Sequence, residues 1–195
     1  PFDFFLIRPD QFLFYNTKSP YTNITYHWCG DQRIGDDRLR VLFAANTNKR
    51  FNIGFKFDYL YGRGYYNNQA TAFFNGTLFA SYLGDNYNMH LWFSESHLKM
   101  EENAGISDDD YITHPEEMSQ SVQTQDIPTT FESTWNRQHL EDFFFTHRYN
   151  IGFYKDQKVK NESNPTGKDS IRTIRVLVPV TSFIHTLRIR KNDRR

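Results

Sequence analysis

The chain is predicted to be all-β: a transmembrane antiparallel up-and-down β-barrel, of which these 195 residues supply one part with about nine strands. Three patterns carry this prediction. Phe51, Ile53, Phe55, Phe57, Tyr59 and Tyr61 occupy every second position, and Asn52, Gly54, Lys56, Asp58, Leu60 and Gly62 fill the positions between. That is a strand with one apolar and one mostly polar face. At about 3.3 Å per residue the stripe runs about 33 Å, and a tilt near 40° projects it to about 25 Å, the height of a membrane barrel's apolar band. Tight and long connections alternate along the chain, as they do in up-and-down barrels. Aromatic residues gather where strands end, as in the girdles at the two membrane surfaces.

Alternating segments bounded by turn signals fall at about 11–16, 20–29, 38–47, 51–62, 70–83, 87–100, 126–135, 142–154 and 171–185. In the second and third, the apolar faces are Ile24, Tyr26 and Trp28, then Leu39, Val41, Phe43 and Ala45. After the 51–61 stripe come Ala72, Phe74, Leu78, Ala80 and Tyr82, interrupted by Gly76, and then Tyr87, Met89, Leu91 and Phe93. Phe143, Phe145, Tyr149, Ile151 and Phe153 form the next face, interrupted by His147. Ile174, Val176, Val178 and Val180 form the last, where Pro179 breaks the ladder and marks an edge or strand end. Tight turns are expected at 17–20, 48–50, 84–86 and 136–141, alternating with longer connections near 30–37, 63–69, 101–125 and 155–170. Residues 1–195 therefore read as one barrel segment without separate domains, with exposed loops at 101–125 and 155–170. Trp28, Tyr59, Tyr61, Tyr65 and Tyr66 mark the long-loop end, and Tyr82 and Tyr87 the other.

Composition narrows the function. Aromatic residues make up 17% of the chain, but the mean hydropathy is -0.73, so apolar rings are set in a polar background. No run approaches the 18 or so consecutive apolar residues of a membrane helix. Lys plus Arg and Asp plus Glu balance at 23 each, which gives no net field to attract nucleic acid. The single Cys29 excludes an intrachain disulfide or a multi-cysteine metal cluster. The chain opens on Pro1 without a signal-peptide pattern, so its start reads as internal or processed.

If the stripe Phe51, Ile53, Phe55, Phe57, Tyr59 and Tyr61 faces lipid, parity assigns Arg38, Arg40, Asn52, Lys56, Asp58, Asn75, His90, Arg148, Asn150 and Arg175 to a pore lining, together with Thr77 and Asn88. Basic residues outnumber acidic ones in this set, which suggests a weak anion preference unless unseen parts of the barrel compensate it. The acidic 101–125 stretch, with Asp108, Asp109 and Asp110, matches no metal-ligand spacing. The seven histidines form no metal signature. His90, Ser94 and Ser96 share a face, but nothing marks an activated nucleophile, so no catalytic residue, metal or cofactor is expected. Gly62-Arg63-Gly64 lacks the spacing of a phosphate loop, and the sequons at Asn23, Asn75 and Asn161 read as composition.

Several long phrases resemble the putative porins of the Bacteroidota outer membrane. They are Phe14 to Tyr26, Arg38 to Asn52, Tyr59 to Tyr66 and Phe145 to Asn150, with looser agreement through Val178-Pro179-Val180. The resemblance implies a transmembrane β-barrel with porin activity in the outer membrane of a Gram-negative bacterium, without catalytic residues or cofactor. Members of that family are longer than this chain, which agrees with a physical point: an odd number of strands leaves open edges that lipid cannot satisfy.

Three functions follow as alternatives. One is passage of small hydrophilic solutes or ions through a water-filled lumen. The second is a non-conducting outer-membrane barrel that acts as a scaffold or receptor in a surface complex. The third is a soluble glycan-binding β-sandwich. For the membrane readings the expected partners are outer-membrane lipid and lipopolysaccharide, small solutes, and an outer-membrane protein complex or homo-oligomer, with no nucleic acid.

Overall fold

A computed structural model describes residues 2–30, 35–117, 123, 126–160 and 171–195. Seven strands form one antiparallel sheet in chain order: β1 (Tyr21–His27), β2 (Asp36–Asn46), β3 (Phe51–Gly62), β4 (Thr71–Leu83), β5 (Tyr87–Glu102), β6 (Thr134–Lys160) and β7 (Ile171–Arg194). Each strand pairs with the next, giving the meander that period-two alternation and tight turns dictate. Among the described residues no helix is long and apolar enough to cross a membrane. The sheet is open, with β1 and β7 as its edges.

Local chemistry explains the short turns. Asn48 accepts the backbone N–H groups of Arg50 and Phe51 at 2.8 and 2.9 Å, closing the β2–β3 hairpin with an Asn side chain. Gly84 donates to the Tyr87 carbonyl at 2.9 Å to close β4–β5. The long connections lie at the opposite end. Within the 103–133 connection are α1 (Asp110–Thr113) and a 3-10 turn at Pro115–Glu117. Asn68 ties this connection to the β3–β4 loop, donating to the Thr129 hydroxyl and the Phe131 carbonyl.

Among the described residues seven strands replace the nine expected. The alternation of 11–16 belongs to a non-strand segment, residues 2–16, laid across one face of the sheet as a strap. Its own backbone hydrogen bonds, such as Gln11 to Arg8 and Phe12 to Pro9, are local, so side chains fix it to the wall. The stretch 126–135 is not a strand: it carries one isolated bridge, Ile106 to Thr129, before β6 begins at Thr134. The turn expected at 136–141 lies inside β6, paired with β5 and β7. The alternation of loop lengths therefore fails at β6–β7. That connection sits at the short-turn end, and residues 155–160 of the expected 155–170 loop are strand. Residues 161–170, with the Asn161 sequon, lie outside the described residues, as do 31–34 and parts of 118–125.

Register shows how the apolar band crosses the sheet. The rung of Phe55 continues through Leu78, Phe93, Phe143 and Ile189, while the rung of Tyr61 passes through Ala72 to Lys99 and Arg137. On β3 the apolar run is Phe51 to Tyr61; on β6 it is Phe143 to Phe153, six residues nearer the short-turn end, with Glu141, His139 and Arg137 above it and Lys155 below. Six residues are about 20 Å along the strands, against about 14 Å across to β6 or about 19 Å across to β7, so the band is inclined by about 45–55° to the rungs. The long β6–β7 ribbon follows this slant. A bulge between Ile151 and Gly152 re-aims it, and Gly152 is required there because a Cβ would meet the Val178 carbonyl at 2.0 Å.

Candidate lumen face

The register places all of Arg38, Arg40, Asn52, Lys56, Asp58, Asn75, His90, Arg148, Asn150 and Arg175 on the face opposite the aromatic stripe, with Thr77 and Asn88. They spread over the whole height of this inner face, the one on which the strap lies, and form no single cluster. Arg38 donates twice to Asp58, at 2.9 and 2.7 Å. Arg40 lies 3.1 Å from His27 across the β1–β2 pair. Lys56 stands opposite Thr77, and Arg148 opposite Asn88. Asn150 accepts from Ser182 at 2.7 Å, and Arg175, out on the ribbon, lies over the Tyr154 ring at 5.7 Å.

The inner face is not uniformly polar. Phe73, Phe79, Trp92, Leu98 and Leu140 point inward and are buried, which inward-polar alternation alone did not foresee. The strap covers them in two places. Toward the long loops, Phe2, Phe5 and Leu6 pack on Phe73 and Leu98, with Leu60 and Met100. Toward the short turns, Ile7, Phe12, Phe14 and Tyr15 pack on Phe79, Trp92 and Ala44, with Leu42 and Phe144. Gly54 makes room for this: a Cβ there would come within 2.3 Å of the Phe79 ring. The Phe14 ring meets His90 edge-on, centroids 4.7 Å apart. At the strap's end Asn52 donates to Asn46, and Asn46 donates to Asn16 at 2.7 Å.

Between the two apolar patches runs a buried polar belt: Asn75, Thr77, Ser94, Ser96 and Asp142. Thr77 and Ser94 are hydrogen-bonded at 3.1 Å. Asp142, 1% exposed, accepts from Arg188 Nε at 3.0 Å and Nη2 at 2.6 Å, and Arg190 Nε lies 3.3 Å from its Oδ2. Taking a carboxylate out of water is costly unless it is paired in this way. Arg188, Arg190 and Arg194 form the inner-face charges of β7 beyond Ile184, with no acid among them. These arginines escaped the sequence reading, which ended the strand at 185, although Leu187 and Ile189 continue the outward alternation.

The opposite face is bare. Ile53 is 47% exposed, Phe55 41%, Tyr59 39% and Tyr61 42%, and Leu78, Phe153, Phe183, Leu187 and Ile189 are exposed too. Phe51 and Phe57 on the same stripe are half-buried. Two histidine pairs interrupt this face: His97 with His139, near Glu95, and His147 with His185. At the short-turn end, outside the strands, the Arg50 guanidinium is held above its ordinary value first by the Tyr82 hydroxyl and then by Asp85, 2.8 Å away. Among the described residues no three His, Cys, Asp or Glu side chains gather as a metal site.

Against known proteins, a family model described as putative porin matches the chain over residues 1–195. No curated protein and no solved structure matches it.

Proposed function

We propose that this chain, which belongs to the putative porin family, forms part of the wall of an outer-membrane β-barrel through which small hydrophilic solutes or ions pass. The observation that carries this reading is the slanted band of uncovered apolar side chains. A water-soluble sheet covers its apolar face with other parts of the fold. Here the covered face is the other one, and the aromatic face stays bare across most of the sheet. The slant adds weight, because barrel strands tilt by about 35–45°, so a band parallel to the membrane must cross the rungs obliquely at a similar angle. A flat soluble sheet has no reason to shift its apolar run by six residues within three strands.

Among the described residues no strand pairs with the outer edge of β1 or of β7, and unpaired backbone groups cannot face lipid. Further strands must pair with β1 and β7 to close the wall. Lipid and lipopolysaccharide are then the partners of the outer face, the family points to a non-enzymatic role, and the ten inward residues predicted to line the pore take that part on the inner side.

One observation favours a second reading. The strap fills part of the inner face with apolar contacts, as a plug would, which suits a non-conducting scaffold or receptor in a surface complex. Reconstitution of the complete protein in planar bilayers separates the two. Stepwise conductance is expected for passage, and a silent but correctly folded barrel would select the scaffold.

A further inference from the structure

Arg188 and Arg190 stand on the inner face at the height of the Phe55 rung, directly behind Ile189 and Phe143, where the apolar band begins on β7 and β6 at its long-loop edge. Both lean on one buried carboxylate. Asp142 takes the Nε and Nη2 edge of Arg188, and its Oδ2 also faces Nε of Arg190. The side chains are nevertheless 40% and 44% exposed, so the guanidinium groups are fixed at one edge and open at the other. Asp142 itself is sealed off, with Ser94 opposite it on β5. A solute reaching this wall meets two oriented cations and not the acid that orients them. Among the described residues Asp10, exposed on the strap, is a further acid that acts electrostatically on Arg188.

We infer that Arg188 and Arg190, steered by Asp142, form a docking station for oxyanions, the phosphate or carboxylate groups of small solutes. The inference rests on the reading of this face as the lumen wall. The planar guanidinium fork matches the geometry of such groups, and an arginine already immobilised loses less rotamer entropy on binding them. The negative charge of Asp10 acts on Arg188 from the strap and opposes an incoming anion.

The test uses the complete protein with two readouts. In detergent, binding of inorganic phosphate is followed by phosphorus NMR line broadening, with acetate displacement as a parallel arm. In planar bilayers, the reduction of chloride current by phosphate is measured. Removing one charge-assisted hydrogen bond to the anion should weaken binding about tenfold, so R188Q/R190Q should bind phosphate far more weakly than the unmodified protein. D142N separates orientation from bulk field. Removing a negative charge would tighten binding if only the field mattered, whereas loss of steering weakens it. D10N should tighten it. Unchanged binding in R188Q/R190Q, or tighter binding in D142N, overturns the station. Should D142N fail to fold, R190Q alone decides, since that side chain is half exposed. Arginine-dependent binding of either oxyanion supports the station, and the phosphate-to-acetate ratio names the preferred class. Arginine-dependent binding without conductance would refute passage but keep the station. Conductance without such binding would refute the station alone.

Discussion

The two faces of the sheet carry similar side chains in different circumstances. On the inner face Phe79 and Trp92 are 1% and 0% exposed, pressed between the wall and the strap. On the outer face Phe55 is 41% exposed, with Phe43 beside it and nothing from the described residues above it. Aromatic content therefore does not tell the faces apart. What distinguishes them is which solvent each ring was built for: protein on one side and, on the proposed reading, hydrocarbon on the other.

Substitutions can break this contrast. The largest effect is expected at Trp92. Trp92→Ala leaves a cavity beneath Phe12 and beside Phe79, and should cost about 3–5 kcal/mol of unfolding free energy in denaturant titrations of the complete protein in lipid. Phe55→Ala should cost distinctly less, because on the proposed reading lipid chains close around the missing ring. Equal losses would erase the difference between the faces. Next comes Phe55→Arg, which places a charge near the middle of the apolar band and should cost about 2–4 kcal/mol. An arginine there that folds as well as the parent would count against a lipid-facing stripe. The smallest effect on stability is expected at the neighbouring Lys56, which points the other way. Lys56→Gln should leave unfolding nearly unchanged and instead shift the reversal potential toward cations under a salt gradient. A stability loss matching that of Phe55→Arg would mean that the sidedness of β3 is misassigned.

Much of the sheet was legible in the sequence because alternation and turn chemistry agree. The stripe 51–62 matches β3 at both ends, and β2, β4 and β5 shift by no more than two residues. Two parts were hidden for physical reasons. The start of β6 climbs past the apolar band, where its outward residues are Arg137, His139 and Glu141. With no apolar side left to alternate against, a strand reads as a polar turn. The strap gives the opposite error. Phe12 and Phe14 alternate like strand residues, yet their rings bury against Phe79 and Trp92 while their backbone joins no ladder. The inward set was legible as a face, since parity follows from the pleat. That Asn52 and Asn75 on that face are buried was not, because it depends on what lies over them. The arginines of β7 were hidden by the early stop at 185, which the charged run Arg188 to Arg195 encouraged.

The solvent of the outer face is tested most directly by nitroxide scanning of residues 51–62 in the complete protein reconstituted in bilayers. Collision with oxygen, which partitions into lipid, should alternate with a period of two, high at 51, 53, 55, 57, 59 and 61 and low between, while a water-soluble nickel chelate stays excluded from the central odd positions. High nickel collision at 53, 55 and 57, or loss of the alternation, would contradict a lipid-facing stripe.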